Sequence, residues 1–205
     1  MEALAFSSST GGPSLDWAVA GRPLPGETAC GDVHRVEQEA RRALVAVADG
    51  LGHGPEAREA SIFALTAVFQ RPYDDPDALL SRAHEALRRT RGAALTLAAI
   101  DGGRLRWLGV GNVEAFVVRA ATGVREHLLL AAGVVGQGAP RARLRELPVS
   151  PGDTLVITTD GISGTPDLDP VEPPSRAAAR IVEQMWNRRD DVLVLVARLQ
   201  KGDGA

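Results

Sequence analysis

The sequence predicts an α+β layered fold built on antiparallel sheets, and two observations carry that expectation. The segments run in the order strands, two helices, many strands, helix and strand, without the strict βα alternation of a doubly wound parallel sheet. From Gly92 onward the chain breaks into short β-type runs punctuated at Asp101-Gly102-Gly103, Gly111-Asn112 and Thr122-Gly123, the pattern of an antiparallel meander. With 205 residues, 44% of them hydrophobic, the chain is expected to form one domain with a full core. Residues 1–13 and 200–205 are expected to be loose ends of that 1–205 domain.

Taken in order, "LDWAVAGRPL" and "ETACGDVHRV" read as short strands around a Pro/Gly turn at Pro23 to Gly26 and are expected to pair as a hairpin. "RRALVAVAD" is a strand destined for the core, and it ends in the glycine-rich "DGLGHG". Pro55 suits the first turn of a helix, "PEAREASIFALTAVFQ", whose Ala57, Ala60, Ile62, Ala64, Leu65, Val68 and Phe69 form a broad apolar face. "DPDALLSRAHEALRRT" is a second helix, with Asp75 or Asp77 as cap and Leu79, Leu80, Ala83 and Leu87 turned inward.

The runs "GAALTLAAI", "GRLRWLGVG", "VEAFVVRA" and "VREHLLLA" are the strands of the meander, and "PGDTLVITTDGISG" is a further strand ending in Asp-Gly. "PPSRAAARIVEQMWNRR" reads as a helix, and "DDVLVLVARL" as a strand that begins with two acids. Trp107 and Trp186 fit apolar faces and are expected in the core.

Composition narrows the function. Lys and Arg number 23 against 26 Asp and Glu, a formal charge of -3, so no global field recruits nucleic acid or an anionic membrane. Arg141, Arg143 and Arg145 form an alternating row that on a strand would share one face, either solvated or able to meet a phosphate or an acidic partner. Cys30 is the single cysteine, which excludes an internal disulfide and a thiolate metal cluster and agrees with a reducing cytoplasm. No run resembles a signal peptide or a membrane span, so a cytoplasmic monomer is expected.

Acids sit at the ends of apolar runs: Asp49 after Val47-Ala48, Asp160 after Ile157-Thr158-Thr159, and Asp190 and Asp191 before Val192-Leu193, with Asp32 in a fourth, short β-like stretch. If those ends coincide, several carboxylates share one mouth of the sheet. Two carboxylates about 4 Å apart repel by roughly 4 kcal/mol at an effective dielectric near 20, so such a cluster must bind protons or metal. An oxygen-only donor set favours Mg²⁺ or Mn²⁺ over Zn²⁺. Glycine after each acid permits a sharp turn and can present a backbone carbonyl.

The ordered set "CGD", "VADGLGHGPEA", "GAALTLAAI", "GVGN", "TTDGIS" and "RRDDVLVLV" resembles the metal-dependent type-2C (PPM) serine/threonine protein phosphatases, in particular the compact RsbX type of their bacterial stress-response and sporulation branch. The resemblance spans nearly the whole chain. It implies a four-layer αββα sandwich, two antiparallel sheets flanked by helices, with two Mn²⁺ or Mg²⁺ ions at one end. Carried over by position, Asp49 would bridge the ions, Gly50 would offer its carbonyl oxygen, Asp160 and Asp190 would bind the second ion, and Asp32 would act through water or lie just behind.

Asp191 is the ambiguous neighbour, and alternation allows only one of the pair to face the ions. Many members of the family carry a further Asp, linked to a third ion, before the central Gly; here Arg88, Arg89, Thr90 and Arg91 stand there, which implies two ions at most. The implied activity is hydrolysis of phosphoserine or phosphothreonine by a metal-activated water, on phosphorylated STAS-domain scaffold proteins of a stressosome, resetting a stress signal.

His53 in the turn is a candidate general acid or a solvent-facing loop residue, and Arg35 a candidate phosphate contact. Asn112 reads as a turn residue that tolerates a left-handed backbone, with support of the metal site secondary. The loop from Ser163 to Pro174 is a candidate substrate contact. Cys30 lacks the C-x5-R setting of a phosphocysteine nucleophile and reads as a packed small residue. Two other functions remain open: a silent phosphoprotein-binding module of the same fold, and a histidine-kinase-like ATP-binding domain that would use "DGLGHG" as its nucleotide box.

Overall fold

The computed structural model describes residues 14–39, 41–138 and 142–201. The expected loose segment 1–13, most of the C-terminal one and Arg141 lie outside the described residues. Two five-stranded antiparallel sheets face each other. One has the order β1 (Leu15–Arg22), β10 (Val192–Leu199), β9 (Thr154–Thr158), β6 (Glu114–Val118) and β7 (Arg125–His127). The other has the order β2 (Asp32–Glu39), β3 (Arg42–Gly50), β4 (Ala93–Asp101), β5 (Arg104–Val110) and β8 (Arg145–Pro148). Helices α1 (Gly54–Val68) and α2 (Pro76–Leu87) cover the β3 sheet, and α3 (Pro174–Met185) covers the β10 sheet. This is the αββα sandwich.

The central strands are apolar on both faces because each sheet is covered twice. Val45 and Val47 point into the core between the sheets, with Trp107, Val117, Leu155 and Leu195. Leu44, Ala46 and Ala48 alternate with them and meet Leu65, Val68, Leu79 and Leu87 of the helices. On the far side Val192, Val194 and Val196 pack on Ala177, Ala178 and Ile181 of α3.

Several expectations about elements need correction. β1 and β2 do not form a hairpin: they belong to different sheets, and the chain between them crosses from one to the other. The meander is likewise split, with β4 and β5 paired in one sheet and β6 and β7 in the other. Only Arg125–His127 of "VREHLLLA" is strand. α3 stops at Met185 because Trp186 turns to extended geometry and its indole Nε1 donates to the Asp190 carbonyl, 2.9 Å away.

Ile62 is 42% exposed rather than on the buried face of α1. Asp75 is the N-cap residue of α2, but its carboxylate pairs with Arg106 and makes no capping bond. No helix among the described residues is long and apolar enough to cross a membrane.

Candidate metal centre

Register brings the acidic ends together. In the β2–β3 ladder Asp32 stands directly opposite Asp49. In the other sheet Thr158 pairs with Val194, so Asp160, two residues beyond β9, and Asp190, two residues before β10, lie at the same end. Thr159 joins the two sheets there: its Oγ1 donates to Asp32 Oδ2 at 2.7 Å and accepts from the Leu193 amide at 2.8 Å. The structure thus gathers Asp32, Asp49, Asp160 and Asp190 at one mouth of the sandwich.

Arg35, His53, Arg119 and Arg180 make their ion pairs with other acids. Asp32 and Asp49 are pushed up, to about 9 and about 7; burial is the largest cause for both, followed by the Asp49 charge for Asp32 and the Asp160 and Asp190 charges for Asp49. Asp160 is raised too, by burial and then by Asp190, while the Asn112 amide opposes the shift. Hard oxygen donors crowded together, each disfavouring its neighbours' charge, fit a divalent cation such as Mg²⁺ or Mn²⁺. No three acid, His or Cys side chains among the described residues already surround one point, so bound ions would complete their shells with water, as Mg²⁺ ordinarily does.

The adjacent acids Asp190 and Asp191 have separate surroundings. Asp191 is 2% exposed, and its two oxygens accept the amides of Leu24 and Gly31, both at 2.6 Å. Both ends of the loop between β1 and β2 are thereby fixed, and Ser61 Oγ donates to the Gly31 carbonyl from the other side at 2.6 Å. Asp190 is the member of the pair whose charge acts on both Asp49 and Asp160.

The glycines after the acids have a packing reason. A Cβ on Gly50 would stand 1.9 Å from the Ala57 carbonyl of α1, and one on Gly161 would stand 2.1 Å from the Asp191 carbonyl. Neither has a positive φ, so close approach, rather than the sharp turn expected, requires glycine there.

Asn112 is more than a turn residue. Gly111 takes the positive φ of that turn, and Asn112 Nδ2 donates to Asp160 Oδ2 at 2.6 Å. Thr159 and Asp191 were not anticipated in these roles. Their one sequence signal is a polar side chain at an otherwise apolar strand end.

His53 precedes α1, is half exposed, and its Nδ1 pairs with Glu27. Arg35 is not brought to the cluster: it lies opposite Ala46, with its guanidinium 4.4 Å over the Phe69 ring and 3.1 Å from Glu37. The Cys30 thiol is pushed up to about 12, chiefly by burial and by the Asp32 charge.

A sandwich of this order with acids gathered at one end defines the PP2C-type phosphatase fold. The chain matches the family described as Stage II sporulation protein E (SpoIIE) over residues 39–200, and it belongs to that family. Among curated proteins it is similar to "Phosphoserine phosphatase RsbX" of Bacillus subtilis (strain 168), 24% identical over 180 residues, covering 85% of this chain and 89% of the relative. A solved structure described as "The bacterial stressosome: a modular system that has been adapted to control secondary messenger signaling" matches with a TM-score of 0.85 and 28% identity, over 90% of this chain and 100% of its own. RsbX in complex with magnesium matches in fold with a TM-score of 0.84 at 20% identity, over 97% of this chain and 100% of its own.

Proposed function

We propose that this protein is an RsbX-like, metal-dependent phosphoserine/phosphothreonine phosphatase acting on phosphorylated STAS-domain proteins of a stressosome. One observation carries the reading: Asp32, Asp49, Asp160 and Asp190 meet at one end of the sandwich, where burial and their neighbouring negative charges raise the carboxyls of Asp32, Asp49 and Asp160. The named activity of the curated relative and the stressosome context of the structural one support the substrate class. We place the work in the cytoplasm, carried out by a monomer.

In this reading Asp49, the Gly50 carbonyl, Asp160 and Asp190 would hold two Mn²⁺ or Mg²⁺ ions. When bound, such ions lower the pKa of a shared water and offset charge on the phosphoryl oxygens. Asn112 fixes the Asp160 carboxylate through its amide. Thr159 fixes Asp32, which faces Asp49 across the β2–β3 ladder and would act through water or lie just behind the direct ligands. Asp191 holds the loop carrying Gly31 and so sets the start of β2, where Asp32 sits. No protein nucleophile is needed, and Cys30, held as a protonated thiol, supplies none.

The test is phosphate release from a serine-phosphorylated STAS-domain protein and from para-nitrophenyl phosphate, in Mn²⁺ and in excess EDTA. Release that depends on metal and is lost in Asp49→Asn and Asp160→Asn supports the proposal. Release that persists in EDTA rejects the metal assignment. A folded wild type that binds the phosphoprotein without cleaving it would be the silent binding module, a reading that the full set of acids argues against. The ATP-binding alternative leaves Asp160 and Asp190 without a role, although both lie at the same mouth as "DGLGHG".

A further inference from the structure

Arg143 and Arg145 belong to a row of the pleat that is apolar elsewhere. In edge strand β8, Leu147 stands opposite Leu105 and Arg145 opposite Trp107. Leu147, Leu105 and Trp107 all lie in the core between the sheets. Alternation therefore puts Arg145 on that inner face at the open edge of the sandwich, and Arg143, just before the strand, lines the same edge.

Across the gap runs the segment after β7. Its Leu130 packs on the inter-sheet core, while Leu129 is 64% exposed. Leu129, Leu130, Ala131, Arg143 and Arg145 line a groove of about 180 Å³ with no acid in its wall among the described residues. Neither guanidinium has a hydrogen-bond or ion-pair partner among the described residues. The volume is below the roughly 300 to 1,000 Å³ of cofactor and drug-sized pockets, which suits one or two side chains of a protein segment.

The groove adjoins the acid cluster. Ala131 accepts the Gly111 amide at 2.9 Å and donates to Gly109 at 2.9 Å, and Gly111 precedes the Asn112 that holds Asp160. Arg145 is in register with Trp107, about 13 Å back along the strand from Gly111, the span of about four extended residues.

We propose that this groove docks an acidic segment of the phosphoprotein substrate. An apolar side chain of the segment would rest on Leu129 and Leu130, and its carboxylates on Arg143 and Arg145, about four residues from the phosphorylated side chain. The proposal rests on the phosphatase reading for its partner. Two cations with no partner among the described residues, beside exposed leucine, select an acidic partner over a basic one, and electrostatic complementarity of this kind governs encounter and register.

The test uses the full chain, a serine-phosphorylated STAS-domain protein and para-nitrophenyl phosphate. Arg143→Glu combined with Arg145→Glu, and separately Leu129→Ser, should each raise the Kd for the phosphoprotein by about tenfold. Turnover of para-nitrophenyl phosphate should stay within about twofold, because these residues do not touch the acids. Unchanged Kd in both variants, or no phosphoprotein binding by the wild type, overturns the proposal. A changed oligomeric state in the variants would assign the groove to a second copy, and protection of the two arginines from modification by inorganic phosphate alone would assign it to a small anion; either overturns it as well. Absence of wild-type turnover of para-nitrophenyl phosphate would remove the phosphatase reading, and the Kd comparison, which needs no turnover, would still decide the docking surface.

Discussion

Thr159 and Asp32 lie 127 positions apart in the chain and in different sheets, yet the hydroxyl of one donates to the carboxylate of the other at 2.7 Å. Both side chains are buried, at 2% and 4% exposure. The same hydroxyl accepts the Leu193 amide, so Thr159→Val would leave a buried donor and a buried acceptor without their partner. The expected cost is about 1–3 kcal/mol by urea denaturation of the metal-free protein. A variant as stable as wild type would show that the two sheets do not depend on this contact.

Asn112→Ala removes the amide that orients Asp160. Partners that orient a ligand typically contribute about 10–100-fold to metal affinity or activity. Titration calorimetry with Mn²⁺ should show a loss in that range, with thermal stability of the metal-free protein little changed because Asn112 is exposed. An unchanged affinity would reduce Asn112 to the turn.

The two acids before β10 should separate under mutation. Asp190→Asn is expected to abolish metal-dependent phosphate release and to leave the metal-free fold intact or more stable, since it relieves repulsion on Asp49 and Asp160. Asp191→Ala strips two amides of their acceptor, at an expected cost of about 2–5 kcal/mol. Paired thermal melts and activity assays decide the matter, and equal effects in both variants would refute the division of roles.

The pH dependence has a defined sign. Folding raises Asp32 and Asp49 from the ordinary carboxylate value of 3.8 to about 9 and about 7, so the native state holds protons that the unfolded chain has lost. Their contribution to stability is complete below about pH 4 and disappears as pH rises through about 7 and then about 9. Metal-free protein should therefore melt at progressively lower temperature between pH 5 and pH 9, to the extent set by these two groups. Metal must displace the same protons, so Mn²⁺ affinity should rise over that interval. A flat affinity profile would mean that the ions bind away from these acids.

Gly161→Ala would set a Cβ 2.1 Å from the Asp191 carbonyl, a contact that only backbone movement can relieve. Overpacking of this kind costs about 1–3 kcal/mol or more. The displaced element includes the start of β10, so loss of both stability and metal affinity is expected in a combined melt and titration.

Much of the architecture was legible because the apolar runs are long and their punctuation is clear. "ALVAVA", "ALTLAAI" and "VLVLVA" are apolar but for Thr96, whose buried hydroxyl donates to the Val113 carbonyl, as strands covered on both faces require, and Leu79, Leu80, Ala83 and Leu87 keep helical spacing and are all buried. What the residues did not reveal was which strands pair. β1 and β2 are neighbours in sequence with a turn between them, yet Asp191 holds the connecting loop at Leu24 and Gly31, a contact made from 160 positions or more away. No local pattern encodes such a contact.

The acids at strand ends were visible as a set, and the register supplied their convergence. Thr159 and Asp191 are ordinary strand-end residues until their distant partners are known, and Asn112, read first as a turn residue with metal support secondary, holds Asp160. Ile62 kept helical spacing and still faces outward, since the apolar face of α1 is narrower than its composition suggests.

Cys30, the single cysteine of the chain, has a thiol held near a pKa of about 12. Peroxide and electrophiles attack the thiolate, and at such a value almost none forms at neutral pH. Phosphatases that work through a cysteine fall silent when their sulfur is oxidised. On the proposed reading, a phosphatase that relies on carboxylates, with its one thiol held protonated, would keep working through an oxidative burst and end the signal while the stress is still present.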